Sequence, residues 1–459
     1  MTIGTVTVEQ LRERVATAQV ALLPELVARM RLDATALRQL QEARLRTLLA
    51  HASEHSPFWA RRLRGIDAAR FGLAQLADLP PLTKAELMHE FDDAVTDRRL
   101  SRSLVERALA MTTNVPVPIL DGYIAQATGG SSGQRGVFVS DVAAYVEVST
   151  APPRFLLSSE LGRRLPPDGF RLATVAAATA VHSTGLAVAL STPGSGPAAI
   201  QAVPVTLPLA DMVARLNAVR PHVLLGYPSM LARLAEERAA GRLAIEPQGV
   251  VTSSEMLTTE LRAAIRSGFG VPIIDMFGST EGLMGATDPD QGIFVFNSDT
   301  CLVELVDSDE RPVPLGTPSA HILVTNLCNR VQPLIRYRLD DRFTRHPDAP
   351  GRAHLRATVE GRADDVLRYG SVEVHPLTVR AALLKHPEIL DYQVRQTATG
   401  IDVALLAEGV LDATALTREL HAALAAAGLD GPTVAVTRVD HLNRHAETGK
   451  LRRFVPLAG

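Results

Sequence analysis

The 459-residue sequence predicts an α/β protein in two parts: a large, multi-subdomain N-terminal α/β domain over 1–360 that opens with a helical section, and a small, mobile C-terminal α+β domain over 361–459. Three observations predict it. From about residue 110, short β-rich runs alternate with helical ones, the pattern of parallel strands joined by crossover helices. The hydrophobic share is 46%, ample for more than one buried core at this length. After Gly361-Arg362 the text changes character, and VEVHPLTVRAALLKHPEILDYQVRQ, GIDVALLAEG, DATALTRELHAALAAAG and TVAVTRV read as strands and two helices of a compact unit. The break is placed near Glu360 to Asp365.

Taken in order, residues 8–65 carry apolar positions at helical spacing (Leu11, Val15, Val20, Leu23, Leu26, Val27, Met30), with Pro57 and Phe58-Trp59 after the second run. The alternating region runs FRLATVAAAT, AAIQAVPVT, DMVARLNAVR before PHVLLGYPS, SMLARLAEERAA before GVVTSSE, and ELRAAIRSGFG before VPIIDMFGS. Four runs stop in small or polar turns: VHSTG, GYPS, TSSE and FGSTEG. Ligands of open α/β sheets bind beyond the C-terminal ends of strands, so these turns are the candidate site. Residues 301–345 read as more strongly β, with CLVELVD, HILVTNL and LIRYRL separated by Pro and Gly turns.

A net charge of -3 with both signs interspersed gives no electrostatic footprint for nucleic acid or an anionic membrane, which leaves small metabolites as partners. Cys301 and Cys328 make neither a disulfide framework nor a Cys-rich metal site and read as buried thiols. The start, MTIGTVTVEQLRERV, lacks the regions of a signal peptide. The most apolar stretch, Leu172 to Leu190, is interrupted by Thr174, His182, Ser183 and Gly185, so a soluble, cytoplasmic protein is expected. Of 47 basic residues only Lys84, Lys385 and Lys450 are lysines. Lys84 and Lys385 sit in helical text and read as surface charges.

The richest motif is Thr128-Gly129-Gly130-Ser131-Ser132-Gly133-Gln134-Arg135-Gly136. Hydroxyls and glycines at this density let backbone N–H groups converge on an anion, although the stretch is neither a P-loop nor a GxGxxG fingerprint, and by itself is equally a surface loop. The second motif, Phe277-Gly278-Ser279-Thr280-Glu281-Gly282, follows an apolar strand and offers a ring for a nucleobase, hydroxyls for phosphate and a carboxylate for Mg²⁺. It is followed by Tyr337-Arg338-Leu339-Asp340-Asp341, Gly361-Arg362-Ala363-Asp364-Asp365 and Thr448-Gly449-Lys450.

In this order the five motifs resemble those of the adenylate-forming (acyl-CoA synthetase) superfamily. LRTLLAHASEHSPFWARRL, LADLPPLTKAEL and PLIRYR narrow the resemblance to the phenylacetate-CoA ligase and coenzyme F390 synthetase-like branch. The resemblance implies the large and small domains of that superfamily and an AMP-forming acid-CoA ligase using ATP, Mg²⁺ and, as co-substrate, CoA. It implies that Thr128, Gly129, Gly130, Ser131, Ser132 and Gly133 hold the β- and γ-phosphates, that Phe277, Gly278 and Ser279 flank the nucleotide, and that Thr280 touches the α-phosphate. Glu281 would bind Mg²⁺, Asp341 the ribose hydroxyls and Arg362 the ribose and phosphate. Ser253, Ser254 and Glu255 would line the adenine and acyl pockets, with Gly278 beside the acid and Asp364 as the hinge.

Lys450 is the implied catalytic lysine. A carboxylate attacking an α-phosphate brings two anions together, and a compact ammonium can neutralise both. His182 is either a substrate contact or a core histidine. The branch favours an aryl or arylacetic acid, and His182, Ser253 and Ser254 leave room for an amino or hydroxyl substituent. Gln134-Arg135, Phe277 and Leu339-Asp340 depart from the superfamily's usual residues, and Asp340 is expected to face solvent or pair with Arg338. Four alternatives stay open: transfer to a carrier protein, transfer to an amine, ATP-dependent activation of nitrite for diazotisation of an aryl amine, and nucleotide binding without catalysis. A homodimer is the resemblance-based expectation for the assembly.

Overall fold

The computed structural model describes residues 3–128, 135–166, 168–191, 198–287, 292–349, 351–362, 365–383, 385–386, 388–445 and 448–457. Two long helices, Val8–Arg29 and Ala34–His55, open the chain. Thr7 caps the first with a reciprocal Gln10 contact, and Asp33 caps the second, so each start is fixed by a side-chain oxygen on an orphan N–H. Leu45, Leu48 and Leu49 of the second helix enter one apolar core with Trp59, Ile322, Val324 and Tyr337. That shared core brings residues 80–84 against the strand Tyr337–Leu339. Leu82 N–H donates to Arg336 O at 2.9 Å and Arg338 N–H to Leu82 O at 2.9 Å.

The main sheet has nine described strands. Ala198–Pro204, Phe170–Ala176, Val223–Gly226, Gly249–Ser253 and Ile273–Gly278 are parallel neighbours in that order. Helices Leu209–Val219, Pro228–Ala239 and Thr259–Phe269 supply crossovers, their Met212, Leu216, Leu231, Leu234 and Ile265 buried against the sheet. Chain direction then reverses: Met284–Thr287, Phe294–Phe296, Arg356–Arg362 and Asp341–Arg345 continue the sheet antiparallel. The last helix of the parallel half ends at Gly270 with φ +68, where a side chain would be strained.

A three-stranded antiparallel sheet of Cys301–Val306, His321–Asn326 and Tyr337–Leu339 lies beside the main one. Arg356–Arg362 stays paired to Asp341–Arg345 as far as Arg362. Beyond it, a second core forms from Leu367, Val379, Leu383, Val394, Val403, Leu416, Leu420 and Phe454. That core is built on four strands ordered Thr433–Arg438, Gly400–Ala407, Ile389–Gln396 and Phe454–Val455, with helices Pro376–Leu383 and Ala413–Ala426. No helix among the described residues is long and apolar enough to cross a membrane.

Candidate active site

The C-terminal ends of four parallel strands open into a cavity of about 1090 Å³, roofed by the C-terminal unit. That is room for a nucleotide together with a small acid. The four polar turns all reach it, through His182, Tyr227, Ser253-Ser254-Glu255 and Phe277 to Glu281. Lys84, Asp341, Arg362 and Lys450 complete its charged wall.

FGSTEG is a tight connection between two antiparallel strands, Gly278 pairing with Met284. Ser279 N–H donates to Leu283 O at 2.9 Å, and Asn326 Nδ2 donates to Glu281 O at 2.8 Å. Gly282 needs φ +104, and a Cβ there would run into Asn326 Nδ2, so only glycine fits. The turn leaves Glu281 just 4% exposed. Burial pushes its carboxyl pKa above the ordinary value, with Lys84 opposing through space, Asp341 reinforcing and Arg362 opposing. A carboxylate in that setting gains from a cation. Among the described residues no group of three or more His, Cys, Asp or Glu side chains is placed to hold a metal ion. Mg²⁺ here would therefore draw its other ligands from phosphate and water, its usual mode with nucleotides.

Phe277 is half-buried at the cavity wall, edge-on to Phe296 and Phe343 at centroid distances of 5.7 and 5.3 Å, which fixes its ring. Asp341 and Arg362 are direct cross-strand partners, so register alone brings them together. Their side chains meet at 3.2 Å, with Asp341 6% exposed. Asp340 is drawn off by Arg338, Nε to Oδ1 3.2 Å, which keeps a second carboxylate's charge partnered. Thr128 closes the base of its loop against Gly136: Thr128 N–H donates to Gly136 O at 2.9 Å and Gly136 N–H to Thr128 Oγ1 at 2.8 Å. Gly129, Gly130, Ser131, Ser132 and Gly133 lie outside the described residues, as does Asp364.

His182 is the residue before helix Ser183–Leu190, its Nδ1 2.9 Å from Ala127 O, and its ring faces the cavity. Ser253 and Ser254 line the floor, Ser254 at φ +70. The carboxylate of Glu255 is taken up by protein: it accepts from Ser229 Oγ at 2.6 Å, Leu451 N–H at 2.7 Å and Arg444 Nη1 at 3.3 Å. Lys450 sits one residue before Leu451, and burial lowers its ammonium pKa, with Glu255 opposing and Arg362 adding to the fall.

Among the described cavity residues that escaped sequence reasoning are Lys84 and Asp275. Lys84 belongs to the cavity rather than to the surface, because the pairing of Leu82 with the 336–338 backbone carries it there. The scarcity of lysine was the available signal. Asp275, on the strand leading to Phe277, faces the cavity. Burial pushes its carboxyl up to about 6, with Thr252 Oγ1 donating at 2.7 Å. Its signal was its position two residues before the ring. Lys385 is exposed and pairs with Glu419, 3.4 Å away.

No family model matches the chain. Phenylacetate-coenzyme A ligase of Thermus thermophilus is 27% identical over 401 residues, covering 84% of this chain and 81% of that protein. A crystal structure of 2-hydroxyisobutyryl-CoA ligase in the postadenylation state shares the fold with a TM-score of 0.70 at 18% identity, covering 93% of this chain and 91% of that one. The same ligase in the thioesterification state scores 0.59 at 20% identity over 93% and 91% of the two chains.

Proposed function

We propose that this chain, a member of the adenylate-forming superfamily on its phenylacetate-CoA ligase-like branch, is a cytoplasmic enzyme that activates an aryl or arylacetic acid with ATP and passes the acyl group to CoA. The observation that carries this reading is the convergence of Lys84, Glu281, Asp341, Arg362 and Lys450, from five separate stretches of chain, on one cavity at strand ends.

In the first step a carboxylate oxygen attacks the α-phosphorus, and the bond to the bridging oxygen breaks with its electron pair leaving on pyrophosphate. Lys450, a desolvated ammonium, neutralises the approaching anions without donating its proton. Thr280 touches the α-phosphate, Phe277, Gly278 and Ser279 flank the nucleotide, Asp341 accepts from the ribose hydroxyls, and Arg362 swings between Asp341 and the phosphate. Thr128 to Gly133 grip the outer phosphates. Glu281 would hold Mg²⁺, and the bound ion would supply neutralisation of the phosphates' charge. In the second step a thiol attacks the acyl carbon, AMP leaves with the bonding pair, and the thiol proton passes to solvent. The domain break falls between 360 and 361 and the small domain turns about Asp364 to exchange Lys450 for the thiol, so one cleft serves two transition states.

The test is release of AMP and pyrophosphate with a panel of benzoic, hydroxybenzoic, aminobenzoic and phenylacetic acids, with and without CoA, beside Lys450→Ala. Expected are acid-dependent release, a roughly 10³-fold fall in the variant, and turnover that requires CoA. Aliphatic acids outperforming every aromatic one would overturn the substrate class. Release with no acid that leads to thioester would overturn the function.

A further inference from the structure

Glu255 stands on the main sheet, in the turn after strand Gly249–Ser253, yet two of its three hydrogen-bond partners belong to the C-terminal unit. Its side chain is 1% exposed. Arg444 bridges outward from it, Nη2 donating to Ser229 Oγ at 2.8 Å and Nη1 to Gly449 O at 3.0 Å. Leu451 N–H donates to Glu255 at 2.7 Å. Thr448 O accepts from Tyr227 Oη at 2.9 Å, and the same oxygen of Tyr227 accepts from Ala177 N–H at 3.1 Å. Gly449 lies at φ +64 flat against Val205, where a Cβ would run into Val205 Cγ1. The segment that carries Lys450 is therefore held from both sides, at 444 and at 451, by one buried carboxylate of the large sheet.

We propose that Glu255 is a latch: with Arg444 it holds the lysine-bearing segment in the cavity for the first half-reaction and must let go for the second. Glu255 and Arg444 are positioning residues, acting through Lys450. Charge-assisted hydrogen bonds suit this work. They are strong and directional while water is excluded. Once the unit lifts, water takes over both partners, so the bonds open without leaving an apolar scar. An apolar joint of the same strength would leave exposed core on opening. The half-reaction assignment rests on the adenylation reading above, whereas the latch itself can be tested with no substrate present.

Amide hydrogen exchange on substrate-free protein is compared for wild type, Glu255→Ala, Glu255→Gln and Arg444→Ala. Expected is lost protection in 444–453 alone for Glu255→Ala and Arg444→Ala, with Glu255→Gln intermediate because its amide oxygen still accepts from Leu451 N–H. In parallel, pyrophosphate release from ATP and phenylacetate should fall about 10²-fold in both strong variants, the usual cost of a group misplaced by an ångström. Thioester formation from supplied phenylacetyl-adenylate and CoA should hold or rise. Unchanged protection in Glu255→Ala and Arg444→Ala overturns the latch. So does protection lost across the main sheet as well, or both half-reactions falling together. A wild type that makes no adenylate from any acid defeats the adenylation reading and leaves the exchange result to judge the latch.

Discussion

Two buried carboxylates, Asp299 and Glu281, are titrated in opposite directions. Both lose water: Asp299 is 0% exposed and Glu281 4%. Burial raises the pKa of each, but at Asp299 it is overcome by Arg154, whose guanidinium meets both carboxylate oxygens at 2.9 and 2.8 Å, and the pKa falls. Arg29 lies 3.7 Å away, and Arg154 is further packed on Met30 Sδ. At Glu281 burial is opposed by Lys84 and Arg362 only through space and the pKa stays raised. A bidentate ion pair closed on itself is structure. A buried carboxylate facing a cavity, still short of cation, is prepared for a ligand.

The sharpest way to break that contrast is to neutralise each in turn. Glu281→Gln should cut acid-dependent pyrophosphate release by about 10²–10³-fold, as loss of a group acting on transition-state charge does, and leave the thermal midpoint level or higher. Asp299→Asn should do the reverse. It strands Arg154 in the core at a cost of about 3–5 kcal/mol, read as a lower unfolding midpoint, with turnover per folded molecule intact. Since the folded pKa of Asp299 is depressed, its contribution is present above the ordinary aspartate range and lost as pH falls through the folded value.

A smaller effect tests the role of Lys84. Removing it takes away a charge that holds the Glu281 pKa down, so in Lys84→Ala the acid limb of the pH–rate profile should move to higher pH, with activity at neutral pH down roughly tenfold. A limb that stays in place would separate Lys84 from Glu281. Lys385→Ala should change neither limb nor rate.

The smallest effect concerns Asp275. Its pKa is raised, so its ionisation costs stability as pH rises from the unfolded value of 3.8 through about 6. Asp275→Asn should accordingly raise the midpoint at pH 7.5 by the equivalent of about 1 kcal/mol, discounted for its opening to the cavity, and gain nothing near pH 4. A gain that is constant with pH would show packing rather than charge.

Much of this was legible in the sequence because it is local. Alternating strand and helix runs are written in period and capping residues, and small polar turns after apolar strands marked the cavity floor at Ser253 and Phe277. What was not legible depends on distant pairing. Lys84 looked like a surface charge because nothing near it in the chain says that Leu82 bonds to the backbone at 336 and 338. Glu255 was legible as a pocket residue, but not its partners, because Arg444 and Leu451 lie 189 and 196 positions away.

The sequence by itself determined the kinds of element, their order, the polar turns and the inventory of charges, since propensity, periodicity and turn chemistry act over a few residues. Only the tertiary structure decided which of those charges are spent on each other and which are left facing space. Asp299 and Glu281 are both single acidic letters in short polar stretches, Asn297-Ser298-Asp299-Thr300 and Gly278-Ser279-Thr280-Glu281-Gly282, and what separates them is whether packing delivers a guanidinium to hydrogen-bonding distance or leaves the nearby cations acting through space.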